Sequence, residues 1–218
     1  MAGPIRVWDL PTRFFHWLLV ALFLFSWWCA DNRQMEWHLR SGICLLGLML
    51  FRLLWGFIGG STARFSSFLR PPSELIAYMR SASPAERRPG HNPVGGYSVL
   101  AMLLALCVQV GTGLFATDID GLESGPLSYL VSFDQGRSAA KFHAVSFNIL
   151  LALAGLHVLA ILFYLVVRKR NLVRPMISGL DAHPEAGTEP LKSAGIVRVT
   201  LAVAFAAAAA WWFGGMGG

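Results

Sequence analysis

Of the six histidines in this 218-residue chain, four fall in apolar stretches, where an ionisable ring is costly. His143 and His157 share the run KFHAVSFNILLALAGLHVLAILFYLVVRKR, which carries no charge from Phe142 to Val167. Fourteen residues separate them, ~21 Å along a helix, and leave them within roughly 40° of one face. His16 stands early in an apolar run that begins at Phe14, and His38 opens another that reaches Ile58. His38 matches His143 in depth near one surface, and His16 matches His157 toward the other. An entry of the first helix before Phe14, or a tilt, absorbs the looser fit of that second pair. Imidazoles paired across facing helices are how a bundle grips a flat ring, and haem iron, held axially, is the best-suited occupant.

Other residues near these four carry two readings each. Gly42, one turn after His38, and Gly155, two residues before His157, would let a macrocycle approach, or would serve close helix packing. Arg52, inside the second apolar run, either snorkels to the headgroups or pairs with a propionate of the haem on its side. A single membrane histidine can simply bond a neighbouring helix. Four at matched depths favour ligation. A proton relay would recruit Asp or Glu inside the spans, and none is there. A transition-metal transporter would add carboxylate, thiolate or Met clusters. His91 and His183 lie in polar segments and read as solvated. Cys29, Cys44 and Cys107 form no C-x-x-C-H and no zinc spacing, which excludes covalent haem attachment and leaves them as small buried hydrophobes.

The elements that must position these side chains are membrane helices. The chain is 55% apolar and only 14% charged, where a soluble domain carries about a quarter charged residues. About 20 apolar residues cross a hydrocarbon core of ~30 Å. Five runs qualify: Phe14 to Ala30, Trp37 to Ile58, a third from the Asn92-Pro93 helix start to Ala116, Phe142 to Val167, and a short Ala-rich run from Ile196 to Phe213. The first lacks a small-residue cleavage site and reads as a retained helix. Between them lie a polar turn at 31–36, a basic segment at 59–92 holding a short surface helix at PPSELIAYM, an acidic loop at 117–140 and a basic segment at 168–195. With the N-terminus inside, the inner segments hold 14 Lys and Arg against 6 Asp and Glu, and the outer ones 4 against 6. That asymmetry is the positive-inside rule, so the net charge of +6 marks a cytoplasmic face and not a nucleic-acid surface.

RVWDLPTRFFHWLLV, the His38 helix ending FRLLWGFIGG, the HNPVGG helix start, KFHAVSFNILLALAGLHV and the NLVRPMISG segment resemble the prokaryotic cytochrome b561 family. That group includes the cytochrome b subunits of nickel-iron hydrogenases. The resemblance runs from about residue 5 to 180. It implies an all-α integral membrane fold: a four-helix transmembrane bundle in residues 1–180 with two non-covalent b haems. Residues 181–218 then form a linker and a fifth transmembrane helix. It further implies that His16, His38, His143 and His157 are the axial ligands. The expected role is electron transfer across the bacterial inner membrane, between quinone and a periplasmic redox protein such as a c-type cytochrome, with membrane lipid all round and room for an oligomer. A second reading by the same likeness is a superoxide:quinone oxidoreductase. A third, from another class, is a non-redox transporter. The acidic 117–140 loop suits a basic partner or is an ordinary solvated connection, and the net charge of −2 on the outer segments works against an anionic substrate.

Overall fold

A computed structural model describes residues 3–80, 90, 92–182 and 189–215; His91, His183, Arg87 and Arg88 lie outside the described residues. The elements run β1 (Ile5–Arg6), α1 (Leu10–Asp31), α2 (Met35–Ile58), α3 (Phe65–Phe68), α4 (Pro72–Arg80), α5 (Pro93–Phe115), a 3-10 turn at Ser128–Leu130, α6 (Phe133–Val166), α7 (Val173–Ser178), β2 (Leu180–Asp181) and α8 (Ile196–Gly214). Helices α1, α2, α5, α6 and α8 are each long and apolar enough to cross a membrane. A helix suits that solvent because it satisfies its backbone polar groups internally. In α2 half of the apolar window is buried, against 6% in α6, whose Leu156, Leu159 and Val166 face outward. Apolar side chains at the surface of the charge-free part of a helix are what lipid contact requires.

Helix ends follow local capping chemistry. Asp9 caps α1, its Oδ1 accepting the Thr12 N–H at 2.8 Å, so the helix begins at Leu10, before Phe14. Asn92 caps α5 in the same way, accepting the Gly95 N–H at 2.7 Å. The start of α6 departs from expectation. The 117–140 stretch is not all loop, because the helix begins at Phe133, nine residues ahead of Phe142. Ser132 and Gln135 form a reciprocal capping box: the Ser132 N–H donates to Gln135 Oε1 at 2.9 Å, and the Gln135 N–H to Ser132 Oγ at 3.3 Å. The segment 168–195 likewise contains structure the composition hid, since β2 pairs antiparallel with β1, Ile5 opposite Asp181 and Arg6 opposite Leu180.

The chain forms two compact units, the first from Met1–Phe15, Arg52–Ala101 and Gly155–Leu201, the second from His16–Phe51, Met102–Ala154 and Ala202–Gly218. In the first, the Asp9 carboxylate also accepts Trp55 Nε1–H at 3.2 Å, and Thr62 Oγ1 donates to Val7 O at 2.7 Å. The linker ahead of α8 is tied down there, Leu191 N–H to Arg6 O at 2.9 Å and Ser61 N–H to Lys192 O at 3.0 Å. In the second, α8 lies close against α2 through small residues. A Cβ on Gly47 would stand 3.1 Å from Ala210 Cβ and 3.3 Å from Ala206 O. Overpacking such a contact costs about 1–3 kcal/mol. Gly47→Leu should therefore lower the melting temperature in detergent by a few degrees and expose α8 to protease. Gly111→Ala, where a Cβ meets nothing within 4 Å, should leave both readings unchanged.

Candidate functional site

The second unit brings His38 and His143 together, their ring centroids 6.0 Å apart and their planes at 90°. His38 is the fourth residue of α2 and His143 lies eleven residues into α6. Each ring is anchored from behind. His38 Nδ1 lies 2.9 Å from Ser26 O and 3.1 Å from Ser26 Oγ, and His143 Nδ1 lies 2.8 Å from Gln109 O. A carbonyl can only accept, so each Nδ1 carries its proton and each Nε2 is left as the lone-pair nitrogen. Metal-ligating histidines are oriented by this type of bond from the far nitrogen.

A haem iron bound here would be held by His38 and His143, whose ring spacing suits it. An imidazole–metal bond of about 2 Å on either side, with each ring's own radius added, sets two ring centroids roughly 6 Å apart. The donor set fits as well. Among the described residues no group of three or more His, Cys, Asp or Glu side chains converges. A mononuclear protein-ligated metal usually needs three or four protein donors. A porphyrin iron takes four nitrogens from its own ring and asks the protein for two.

Several contributors were missed in the sequence. Gln109 donates from its side-chain amide to His143 Nε2 at 2.9 Å, while Ser146 Oγ donates to the side-chain oxygen Oε1 of Gln109. An iron ligated by His143 therefore requires that amide to turn away. Gly113 makes room for the ring, since a Cβ there would lie 2.9 Å from His143 Cε1. The readable signal was polarity out of place: Ser26, Gln109, Thr112 and Ser146 interrupt otherwise apolar helices. Gly42 and Gly155 have open space beside them, with nothing within 4 Å of an added Cβ, so close helix packing does not account for either. Of the cysteines only Cys29 is buried; Cys44 is exposed and Cys107 intermediate, which corrects the expectation of three buried side chains. An apolar surface in lipid accepts a thiol as readily as a core does.

His16 lies in α1 and in the second unit, half-buried, with its ring edge-on to Trp17 at 5.0 Å. His157 lies in α6 and in the first unit, also half-buried. Arg52, in the first unit, is only 4% exposed, so it does not snorkel. Its guanidinium stands 5.1 Å over the Phe65 ring and 6.0 Å from that of Phe68, and its NH1 has no hydrogen-bond partner among the described residues. A buried donor left unsatisfied on a cation is costly, and an anionic group would relieve it.

The second unit also has a shallow, open cleft of about 520 Å3, lined by Thr112, Phe115, Val131, Asp134, Ser138 and Phe142. Thr112 Oγ1 lies 3.5 Å from His143 Nδ1.

Five helices long and apolar enough to cross a membrane make this a multi-pass membrane protein, and two of them bring the His38 and His143 rings together. The chain belongs to the prokaryotic cytochrome b561 family, whose pattern matches residues 7–179. Membership makes it a membrane b-type cytochrome of electron transfer that binds haem b. No curated protein and no solved structure matches the chain. Helix α8 lies beyond the matched residues.

Proposed function

We propose that this protein carries electrons across the bacterial inner membrane, between the quinone pool and a redox protein at the outer face such as a c-type cytochrome. Two non-covalent b haems would serve as the carriers. His38 and His143 are the axial ligands of one. On the sequence pairing, His16 and His157 are those of the other, with Arg52 offered to a propionate and Gly42 and Gly155 leaving space for the rings. The observation that carries this reading is the His38–His143 pair, 6.0 Å between centroids with both Nδ1 atoms tied back to the chain. The haem supplies one-electron redox chemistry; the chain orients it, keeps water from it and tunes it.

Charge supports the orientation. The first unit holds all 14 of the inner Lys and Arg with 6 Asp and Glu, and the second holds 4 with 6. That is the distribution of a cytoplasmic N-terminus. The acidic balance of the second unit also works against an anionic substrate such as superoxide. The described residues gather no carboxylate, thiolate or histidine cluster of the kind a metal transporter would use. The deciding experiment is a reduced-minus-oxidised spectrum of the purified protein with a haem count per chain, followed by reduction with a quinol. Two low-spin b haems that accept electrons from quinol are expected. Protein purified without haem from haem-replete cells would sink the proposal.

A further inference from the structure

The loop between α5 and α6 is built more firmly than a plain connection. Thr117 and Ser124 form an antiparallel bridge, closed by the Asp118 N–H to Glu123 O bond at 3.0 Å, with Gly121 at φ +71° near the tip. The hairpin is fastened at its base. Gly125 N–H donates to Ala116 O at 2.8 Å, and Thr117 N–H to Gly136 O at 3.2 Å; the Arg137 guanidinium also reaches Thr117 O at 3.0 Å. This ordered backbone holds Ile119 and Leu122 outward at 74% and 84% exposure, outside the five spans. Tyr129, Leu130 and Phe133 are exposed nearby in sequence, and Asp118, Asp120, Glu123 and Asp134 intersperse the same stretch. Asp134 also lines the cleft whose wall includes Thr112, the residue 3.5 Å from His143.

An exposed apolar patch rimmed by charge marks an interaction site. Lipid is a poor occupant, because inserting Ile119 or Leu122 would carry Asp118, Asp120 and Glu123 toward hydrocarbon. A soluble partner with a basic face suits both features: carboxylates steer its approach, and the apolar residues hold it once docked. Resting on the electron-transfer reading, we propose that the 117–134 segment is the docking surface for a basic redox protein, placed so that electrons pass by way of the Thr112–His143 side of the cleft. The transfer moves one electron per encounter from the reduced cytochrome to the oxidised partner, with no bond made or broken.

The test uses the full-length, haem-loaded protein in lipid nanodiscs, reduced by a short-chain quinol and mixed with a strongly basic c-type cytochrome in a stopped-flow instrument. The transfer rate should fall steeply with added salt. Asp120→Lys with Glu123→Lys should lower the low-salt rate by about tenfold or more and flatten the salt dependence. Ile119→Ser with Leu122→Ser should weaken saturation several-fold and leave the salt slope intact. Reduction by quinol should be the same in all three proteins. Wild-type rates in both double variants, or a preference for an acidic redox protein over the basic one, would overturn the docking surface while quinol reduction continued. A serine variant that altered only the loop's association with protein-free vesicles would overturn it too, in favour of a membrane anchor. Failure of quinol to reduce the wild-type protein would strike at the electron-transfer reading itself.

Discussion

Replacing His143 with alanine should yield a folded protein with about half the haem of its parent. The imidazole is held by Gln109 O and lies 6.0 Å from the His38 ring, so on the proposed assignment its loss removes one of two axial donors and spares the rest of the helix. Removing an outer-shell partner of a metal ligand alone costs roughly 10–100-fold in affinity, and removing the ligand should cost at least as much. The missing haem should be the one in the second unit, leaving a single low-spin spectrum with one midpoint potential. Small-molecule imidazole added to the variant should restore the second spectrum, a rescue that a merely structural histidine would not show. Unchanged haem content in His143→Ala would refute the ligand assignment.

Arg52→Met should produce the second large effect, and its sign separates two accounts of one buried cation. With no anionic ligand, exchanging a buried charge for an apolar chain of similar length is often neutral or stabilising. Its NH1, without a hydrogen-bond partner among the described residues, and its near-complete burial leave a place for an anion besides nearby Asp9. On the propionate reading, the variant keeps the His38–His143 haem and binds the other more weakly. A cation close to a haem favours the reduced form, so its removal lowers the midpoint. An interaction of about 1–2 kcal/mol corresponds to roughly 40–90 mV for a one-electron couple. Redox titration of the two haems would resolve it. Two unshifted midpoints together with a raised melting temperature would leave Arg52 with Asp9 as its anionic neighbour and no propionate.

Much of the fold was legible because lipid is a demanding solvent. The Phe142 to Val167 run can be little else than a span, and its helix does end at Val166. Capping signals were also present and explain two of the boundary differences: Asp9 at three residues before Thr12 and Ser132 at three before Gln135 each announce a helix start. The β1–β2 pair was not legible, because two residues on each strand, 175 positions apart, leave no periodicity to read.

The residue types alone determined that this chain lives in a membrane, that its basic residues segregate, and that four imidazoles fall in apolar runs. Those follow from transfer energies, which depend on composition and spacing. Tertiary structure alone decided which atoms of those imidazoles are spoken for. Only folding could set the 90° between His38 and His143, bring Ser26 O and Gln109 O behind them, and enclose Arg52 NH1 away from the surface. Hydrogen-bond direction and ring orientation are properties of facing helices, and no single helix's sequence carries the rotation of its neighbour.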